Sequence, residues 1–325
     1  MGFWDSNTVL EQDKLPESLI VLGGGPVAVE YAQFFARLGT AVSLVQRGAH
    51  LLKRFDPDLA VVLEEAFREE GIELFTHASL LSADRCGERK RLRIVRQEAV
   101  QDLVAEEIFL ATGRSPAVEG LRLSAAGIKA HSRAPAIDAE MRTCVLHIFA
   151  AGDVTGIEEV VHIAVLQGEA AGENAARQAM GLGGPFRRLD YRLAMEIVFT
   201  EPQMARLGLT EAAARLAGRP VVVARYPFAD HGKSILMGRT KGFVKLLADP
   251  ENGELLGAGI AGPEASELIH ELVALQSVRA TAGDLARLPH YHPTLSEILT
   301  YPAEEIDRLV ARRRASGSPA LDGSR

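Results

Sequence analysis

The chain has 325 residues, of which 47% are hydrophobic and 24% charged, a balance typical of soluble globular proteins with about two or three domains. Its formal net charge of −7 argues against nucleic acid or an anionic membrane surface as a partner. No long uncharged apolar run and no basic-apolar leader occurs, so we expect neither a membrane span nor a secretory signal. The two cysteines, Cys86 and Cys144, offer no disulfide framework and fit a reducing cytoplasm.

A βαβ unit is predicted near the start of the chain. The strand SLIVLGGG runs into the helix PVAVEYAQFFARLG, and the strand AVSLV follows. At the junction, Gly23, Gly25 and Ala28 fit the G-x-G-x-x-A pattern, whose glycines permit a tight turn and the approach of a pyrophosphate. The phosphates then meet the N–H groups at the helix N-terminus. The sequence therefore predicts a dinucleotide site formed by Gly23, Gly24, Gly25, Pro26, Val27 and Ala28.

The residue after the second strand indicates which dinucleotide is preferred. An NAD site usually has an acid there for the ribose hydroxyls, whereas this chain has Gln46, followed by Arg47 and by Lys53 and Arg54. Arg47 can bind a 2′-phosphate by a bidentate pair, which favours NADPH over NADH. The alternative is that these three cations form a solvated loop.

Further elements follow in chain order. The helix LAVVLEEAFREE ends at Gly71, and short strands and hairpins are predicted from LFTHASLLSAD to DLVAEEIFLATGR. The stretch IDAEMRTCVLHIFAAGDV predicts an apolar strand that ends at Gly152, before the helix VVHIAVLQGEAAGENAARQAM. Beyond Phe186 the pattern becomes α+β: the strands are AMEIVFTE, PVVVARYPF, GFVKLLAD and LLGAGIAG, and the helices are GPEASELIHELVALQ and TAGDLARL.

Four segments together resemble the pyridine nucleotide–disulfide oxidoreductases, which include dihydrolipoyl dehydrogenase, glutathione reductase, mercuric reductase and soluble transhydrogenase. They occur in family order between residues 5 and 310, as GGGPVAVE, ATGRSP, AAGDV and HYHPTLSEILTYPAEE. The resemblance implies an α/β fold with a Rossmann-like nicotinamide-binding domain at 1–113 and the C-terminal part of an FAD domain at 114–185. An α+β dimerisation domain at 186–312 and a disordered tail at 313–325 complete this expectation.

The resemblance also implies cofactor contacts. Gly113 lies close to the glycine turn, and Glu30 lies on the first turn of the helix near the nicotinamide and flavin rings. Asp153 hydrogen-bonds the ribityl chain of FAD beside Gly152, and the backbone near Val161 and His162 approaches the flavin ring. For Asp153 the residues alone leave a second interpretation open, in which it is the N-cap of the next helix.

The C-terminal signature carries the implied acid–base group. His292 manages the protons of a dithiol and Glu297 orients it, since a carboxylate on the far ring nitrogen fixes the tautomer. In the family this histidine reaches the flavin site of the other subunit of a homodimer. Thr294-x-x-Glu297 is also a possible capping box, and both roles are compatible only if each carboxylate oxygen serves one of them. A metal pair of His290 and His292 lacks further ligands nearby, so no metal site is predicted.

The resemblance leaves two expected parts without a counterpart in this sequence. The family has a separate FAD-binding glycine turn and a C-x4-C redox disulfide, and Cys86 and Cys144 do not match that spacing. We therefore expect a chain that begins part-way through the family pattern and is inactive by itself. The predicted function is that of an FAD-dependent NAD(P)H:disulfide or dithiol oxidoreductase of the dihydrolipoyl dehydrogenase type. A non-catalytic module, one chain of a split enzyme whose partner supplies the FAD half, a transhydrogenase and a mercuric reductase stay open as alternatives.

Overall fold

The computed structural model describes residues 2–131 and 134–316. The chain divides into two compact units. The first unit combines the residues up to Gly113 with those from Ile197 onward, and the second runs from Arg114 to Glu196. The first division falls at the predicted end of the nicotinamide domain, and the second falls later than the predicted boundary at 185. The functional assignment of these segments stays a prediction.

The first unit opens with alternating strands and helices. Glycine follows the first strand, and a proline begins each of the two helices, where its fixed φ suits the first turn and its missing N–H costs nothing. The elements are β1 (Ser18–Leu22), α1 (Pro26–Arg37), β2 (Ala41–Val45), α2 (Pro57–Glu69) and β3 (Glu73–Phe75).

An antiparallel meander then leads back to the parallel sheet. Its strands are β4 (Ala78–Cys86), β5 (Arg89–Arg96) and β6 (Ala99–Ala105), and β7 (Glu107–Leu110) follows. The parallel sheet has the order β3-β2-β1-β7. This order places the carboxyl ends of β1, β2 and β7 at one edge, where the glycine turn begins.

Alternation along β1 explains how this sheet is covered. Leu19 and Val21 lie in the hydrophobic cluster that includes α1 and α2, whereas Ile20 lies in a cluster with residues of the meander such as Ile94. Successive side chains of a strand point to opposite faces, so both faces of β1 are buried.

The second unit contains one long helix. It comprises β8 (Ala130–His131), β9 (Ala134–Pro135) and α3 (Val161–Ala179). The strand predicted over residues 137–154 is wrong, because this segment forms isolated bridges and then the start of a 3-10 helix at Asp153. Asp138 Oδ1 accepts the N–H groups of Glu140 and Arg142, and Met141 has a φ of 66°, so the chain turns where the alternating pattern predicted extension.

The remaining elements form an antiparallel sheet with helices. The strands have the order β10-β11-β14-β13-β12, and they are β10 (Met195–Val198), β11 (Gln203–Gly208), β12 (Val222–Pro227), β13 (Phe243–Ala248) and β14 (Leu255–Gly262). The helices are α4 (Glu211–Leu216), α5 (Gly232–Leu236), α6 (Ala265–Ser277), α7 (Ala282–Arg287) and α8 (Thr300–Ser316). The tail predicted from residue 313 needs correction, because α8 continues through Ser316; residues 317–325 lie outside the described residues.

The two parts of the first unit share one core. Val198, Met204 and Ala261 from the antiparallel sheet belong to the same hydrophobic cluster as the residues of β1, α1 and α2. No helix among the described residues is long and apolar enough to cross a lipid bilayer.

A buried ion cluster adds to this shared core. Lys245 of β13 is fully buried, and its Nζ lies 2.8 Å from Asp56, 3.0 Å from Asp58 and 2.8 Å from Glu211. Asp56 also accepts the N–H groups of Glu211 and Ala212 at the start of α4. The cluster therefore ties the N-terminus of α2 to β13 and α4.

Candidate functional site

The glycine turn has the geometry that the dinucleotide pattern requires. Gly23 has a φ of 136°, and a Cβ there would lie 2.2 Å from the carbonyl oxygen of Ala111, so only glycine fits. Gly25 has a φ of −84°, and a Cβ there would meet nothing within 4 Å. Ala28 is fully buried against the sheet. The backbone of the turn thus requires glycine at position 23, and the space beside Gly25 is open.

The N-terminus of α1 fits an anionic group. Gly25 is the N-cap and offers no side chain to the first N–H groups of the helix, and Pro26 begins the helix with Val27 exposed beside it. N–H groups without a helical acceptor and the positive end of the helix dipole favour phosphate. The ATG segment lies beside this turn, since the N–H of Ala111 donates to the carbonyl of Leu22 at 2.9 Å. Gly113, with a φ of 124°, ends that segment and is exposed.

Gln46 packs against the glycine turn at the end of β2. A Cβ on Gly24 would lie 2.7 Å from the Gln46 side chain, whose Oε1 accepts the N–H of Arg47 at 2.9 Å. The loop returns to the turn through the N–H of Leu52, which donates to the carbonyl of Gly24 at 2.7 Å. The Gln46 amide therefore bonds within its own loop. The side chains of Arg47 and Lys53, which the sequence nominated as cations for the phosphate, are exposed.

Glu30 lies past the first turn of α1, so the prediction of a first-turn position is wrong. Its Oε1 accepts the N–H of Phe199 at 2.8 Å, and burial raises the pKa of the Glu30 carboxyl although this hydrogen bond opposes the rise. One turn on, Gln33 exchanges two hydrogen bonds with the backbone of Glu201. This face of α1 is thus bonded to the segment after β10.

His292 and Glu297 form a hydrogen-bonded pair. His292 Nδ1 lies 2.9 Å from Glu297 Oε1, and the N–H of Thr294 donates to Glu297 Oε2 at 2.8 Å. The Thr294 N–H, and after it the bond to His292, hold the pKa of the Glu297 carboxyl below its usual value although burial opposes them. The His292 side chain is 80% exposed and that of Glu297 15%. A carboxylate at Nδ1 selects the tautomer whose Nε2 accepts a proton.

The capping alternative holds in part. Glu297 accepts the N–H of Thr294, but the Thr294 hydroxyl contacts Ser296 at 3.1 Å. Each carboxylate oxygen of Glu297 has one role, as expected: Oε1 bonds His292 and Oε2 accepts the Thr294 N–H. The turn itself thereby fixes the carboxylate that orients His292.

His290 has a different environment from His292. Its Nδ1 lies 3.0 Å from the carbonyl oxygen of Leu288 and its Nε2 lies 3.0 Å from Glu271, and the side chain is 9% exposed. Both ring nitrogens are engaged, which argues against a metal pair with His292. In the parts of the chain that the structure describes, no group of three or more potential metal-ligating side chains occurs.

Sequence reasoning missed the residues around this pair. His231 contacts Tyr301 of the same signature and the hydroxyl of Ser234, and it lies more than fifty positions away along the chain. The segment FADHGKS has no pattern that points to the C-terminal signature. Only the fold brings them together.

The second unit holds the predicted flavin segment. Gly152 has a φ of 80° and its N–H donates to Gln167 at 2.6 Å, while Asp153 lies 3.6 Å from Arg114 with 45% of its side chain exposed. The N-cap alternative for Asp153 is wrong, because the N-cap of α3 is Val160 and no side chain caps this helix. Asp153 is free of that role and accessible to a ligand hydroxyl.

The start of α3 is open as well. Val161 is 81% exposed, and His162 beside it is half-buried. The N–H groups of this first turn have no side-chain acceptor. The residues present therefore fit a ligand with hydrogen-bond acceptors.

Two family models match the chain. The model described as pyridine nucleotide-disulphide oxidoreductase matches residues 2–168, more than half of the chain, and the dimerisation domain of the same family matches residues 195–303. The chain belongs to the pyridine nucleotide-disulphide oxidoreductase family. This confirms the resemblance and the predicted fold class of a Rossmann-like part followed by an α+β dimerisation domain.

Similar proteins of this family are longer than the chain. Dihydrolipoyl dehydrogenase of Mycobacterium tuberculosis is 36% identical over 288 residues, which cover 88% of this chain and 61% of the relative. Dihydrolipoyl dehydrogenase of Thermus scotoductus is 34% identical over 309 residues, which cover 94% and 65%. The chain thus spans less than two thirds of the length of these relatives.

Solved structures agree with this assignment. The crystal structure of LpdA from Mycobacterium tuberculosis has a TM-score of 0.83 at 28% identity, covering 93% of this chain and 64% of that one. The HOCl-induced flavoprotein disulfide reductase RclA from Escherichia coli has a TM-score of 0.81 at 27% identity, covering 93% and 68%.

Proposed function

We propose that this chain carries the nicotinamide site and the acid–base dyad of an FAD-dependent NAD(P)H:disulfide or dithiol oxidoreductase of the dihydrolipoyl dehydrogenase type. One observation carries the proposal. An exposed histidine, His292, is held at Nδ1 by a carboxylate, Glu297, that a backbone N–H keeps in place. A histidine so oriented presents Nε2 to a substrate proton.

In this proposal the dyad moves protons of a small dithiol or disulfide. His292 Nε2 takes the proton of a thiol as the thiolate forms and returns it when the disulfide is reduced. Glu297 stabilises the imidazolium in between, and Thr294 keeps the carboxylate from turning away.

The nicotinamide dinucleotide is proposed to bind at the glycine turn. Its pyrophosphate lies against Gly23, Gly24 and Gly25 and the N-terminus of α1, with Gly113 beside it. Arg47 and Lys53 favour the 2′-phosphate of NADPH, since Gln46 adds no negative charge.

FAD supplies hydride exchange with the nicotinamide when it is bound. We propose Asp153 for the ribityl hydroxyls, with Gly152 and the start of α3 at Val161 and His162 close to the ring. The support is an Asp153 that caps no helix and an exposed first turn of α3. The sequence has no second glycine turn for the adenine half and no redox cysteine pair, so we propose that the chain by itself is inactive.

A second candidate is a module that completes a partner chain. Val161 and Val165, four residues apart on α3, are exposed at 81% and 54%, which favours a further polypeptide over this helix. A homodimer is proposed for the dimerisation part. The exposed, unpaired Cys86 and Cys144 support a reducing, cytoplasmic location.

The test is nucleotide binding by the purified chain. Calorimetry should detect binding of NADPH or NADH, and Gly25→Ala should weaken it about tenfold, because the new methyl group occupies the space of the pyrophosphate. Gly172→Ala on α3, where a Cβ also meets nothing within 4 Å, is the matched control. No binding by the wild-type chain, or an equal effect of both variants, would refute the nicotinamide site.

The split-enzyme candidate has its own measurement. The chain is purified and examined for bound flavin by its yellow colour, and NADPH oxidation is followed with dichlorophenolindophenol. We expect little flavin and no turnover. Stoichiometric FAD with turnover would overturn the proposal that the chain is inactive by itself.

A further inference from the structure

A buried carboxylate bonds the loop that carries Arg47. Glu64 of α2 is 4% exposed and is one of the buried positions of this helix, together with the apolar residues Leu63 and Phe67. An apolar side chain would fill such a position without electrostatic cost, whereas a buried carboxylate is costly unless hydrogen-bond donors surround it. The donors that Glu64 receives therefore indicate what this carboxylate does.

Two of these donors belong to the loop. The N–H of Leu51 donates to Glu64 Oε1 at 3.0 Å, and Nδ1 of His50 lies 3.3 Å from the same oxygen. The other oxygen, Oε2, lies 3.5 Å from a guanidinium nitrogen of Arg68, which is on α2 itself. One carboxylate oxygen thus bonds the loop while the other stays with the helix, so Glu64 joins the loop to α2.

The same loop is bonded to the glycine turn. Leu52 follows Leu51 and has a φ of 48°, a left-handed conformation that a residue other than glycine keeps only where its surroundings hold it. Its N–H donates to the carbonyl of Gly24 at 2.7 Å, and the N–H of His77 donates to the carbonyl of Gly48 at 2.9 Å. The loop is therefore held at three places, by α2, by the glycine turn and by the segment after β3.

The bonds continue from Glu64 to Arg47 through Gln46. Gln46 Oε1 accepts the N–H of Arg47 at 2.9 Å, and Gln46 Nε2 lies 3.4 Å from the carbonyl oxygen of His50. One side-chain amide thus connects the backbone of Arg47 with that of His50, and the His50 ring contacts Glu64. Loss of the Glu64 carboxylate should therefore loosen the backbone that positions the Arg47 guanidinium.

We propose that Glu64 is a positioning residue that sets the preference for NADPH, because it fixes the loop from which Arg47 reaches the 2′-phosphate. The inference rests on the proposed function and names the residue behind its nucleotide preference. Glu64 acts through the loop, since a carboxylate in contact with the phosphate would repel it. A guanidinium on a fixed loop loses less freedom on binding, so its pair with the phosphate contributes more to the affinity.

A double-mutant cycle tests whether Glu64 acts through Arg47. Calorimetry gives the dissociation constants of NADPH and NADH for the wild type, Glu64→Ala, Arg47→Ala and the double variant. Glu64→Ala should raise the constant for NADPH about fivefold and that for NADH less than about twofold. In the Arg47→Ala background the same change should raise the constant for NADPH less than about twofold, because the contact that Glu64 positions is gone. Glu65→Ala, at the exposed neighbouring position, is the control and should change neither constant.

Hydrogen exchange without nucleotide separates loosening of the loop from loosening of the fold. In Glu64→Ala the N–H of Leu51 should exchange at least about tenfold faster. The N–H of Ile72, which donates to the carbonyl of Phe67 at the end of α2, should keep its rate. Glu64→Gln retains an acceptor oxygen and should restore the protection of Leu51 and most of the affinity for NADPH.

A second variant keeps the test decisive if Glu64→Ala does not fold. His50→Ala removes one of the two loop bonds from a side chain that is 38% exposed, and it should weaken NADPH binding about threefold in the wild-type background only.

The proposal is overturned by effects that add in the double variant, by equal effects on NADPH and NADH, or by unchanged exchange at Leu51. Absence of nucleotide binding by the wild-type chain would refute the proposed function and this role together. Binding of NADPH by the wild type with an additive cycle would refute this role alone.

Discussion

Arg47 stands where the adenosine ribose of a bound dinucleotide is expected. The neighbouring Gln46 is turned onto its own loop, through the Arg47 N–H and the packing on Gly24. In the proposed NADPH site, the exposed guanidinium of Arg47 offers a bidentate pair to the 2′-phosphate.

Arg47→Ala is expected to raise the dissociation constant of NADPH about tenfold and to change that of NADH less than about twofold. Arg85→Ala, an exposed arginine of β4, serves as the control for a general loss of positive charge. The two nucleotides are compared by calorimetry at one salt concentration. Equal losses for NADPH and NADH would show that Arg47 does not read the phosphate.

Glu30 gives a prediction about stability and pH. Burial raises the pKa of its carboxyl in the folded chain, so the folded state holds this proton more tightly than the unfolded state. Stability is therefore lost as the pH rises from about 4.3, the unfolded value, through the raised folded pKa. Glu30→Gln removes this loss and keeps an oxygen for the Phe199 N–H.

We expect Glu30→Gln to be more stable than the wild type at pH 7 by up to about 1 kcal/mol after solvent screening, with no difference near pH 4. Urea unfolding at several pH values measures it. Glu65→Gln, an exposed glutamate on α2, is the control and should show no such pH trend. A difference that persists at pH 4 would contradict the explanation.

At the scale of elements, the contact between α2, α4 and β13 depends on Lys245. Three carboxylates surround its ammonium group, and the Asp56 and Asp58 side chains are 4% and 34% exposed. Burial, the largest influence, lowers the pKa of Lys245, but the hydrogen bonds that its ammonium group donates to Asp56, Glu211 and Asp58 outweigh burial and raise this pKa. Its contribution to stability is thus present at neutral pH and is lost only as the pH rises through that raised pKa.

Lys245→Met should lower the free energy of unfolding by about 3 kcal/mol, because it leaves neighbouring carboxylates without their counter-charge. Lys241→Met is the matched control, since Lys241 pairs with Glu69 at the surface and should cost less than about 1 kcal/mol. Urea denaturation compares the two variants. Similar losses of unfolding free energy in the two variants would indicate that the buried cluster contributes no more to stability than the surface pair.

The sequence predicted elements correctly where the hydrophobic periodicity and the turn or capping residues indicate the same element. The βαβ unit with Gly23 and Gly25 is one case, and the i, i+3 spacing of Thr294 and Glu297 is another. It missed β11, whose pattern is broken by the buried Arg206, and it misread residues 137–154, where Asp138 supports a turn. Side-chain to backbone bonds of this kind compete with a strand and leave no period in the sequence.

Site residues divide in the same way. His292 and Glu297 are close in sequence, so a motif can find them. His231 lies far from them in sequence, and its ring contact with Tyr301 depends on tertiary structure. Glu30 was predicted on the right helix but at the wrong turn, and its bond to Phe199 joins segments that are far apart in the chain.

At the scale of the molecule, the dimerisation part should set the oligomeric state. Leu236 at the end of α5 is 76% exposed and follows His231 and Ser234, which lie beside the dyad. The family resemblance implies that the dyad reaches the other subunit, so this surface is expected to face the partner.

The chain should therefore have about twice its monomer mass by light scattering at micromolar concentration, and Leu236→Asp should shift it toward the monomer. Leu216→Asp at the end of α4, where the leucine is 92% exposed, is the matched control and should keep the dimer. A monomer at all concentrations, or dissociation by the control alone, would refute the assignment of this surface.

The path of the chain has a consequence for tolerance to changes in length. The first unit is left at Gly113 and resumed at Ile197, so the segment between them is an insertion into a body whose two sheets share one core. The entropy of closing such a loop grows slowly, by roughly 0.6 kcal/mol for each doubling of its length. The shared core of the host body therefore does not depend on the length of this segment, and a change in its length should cost the host body little stability.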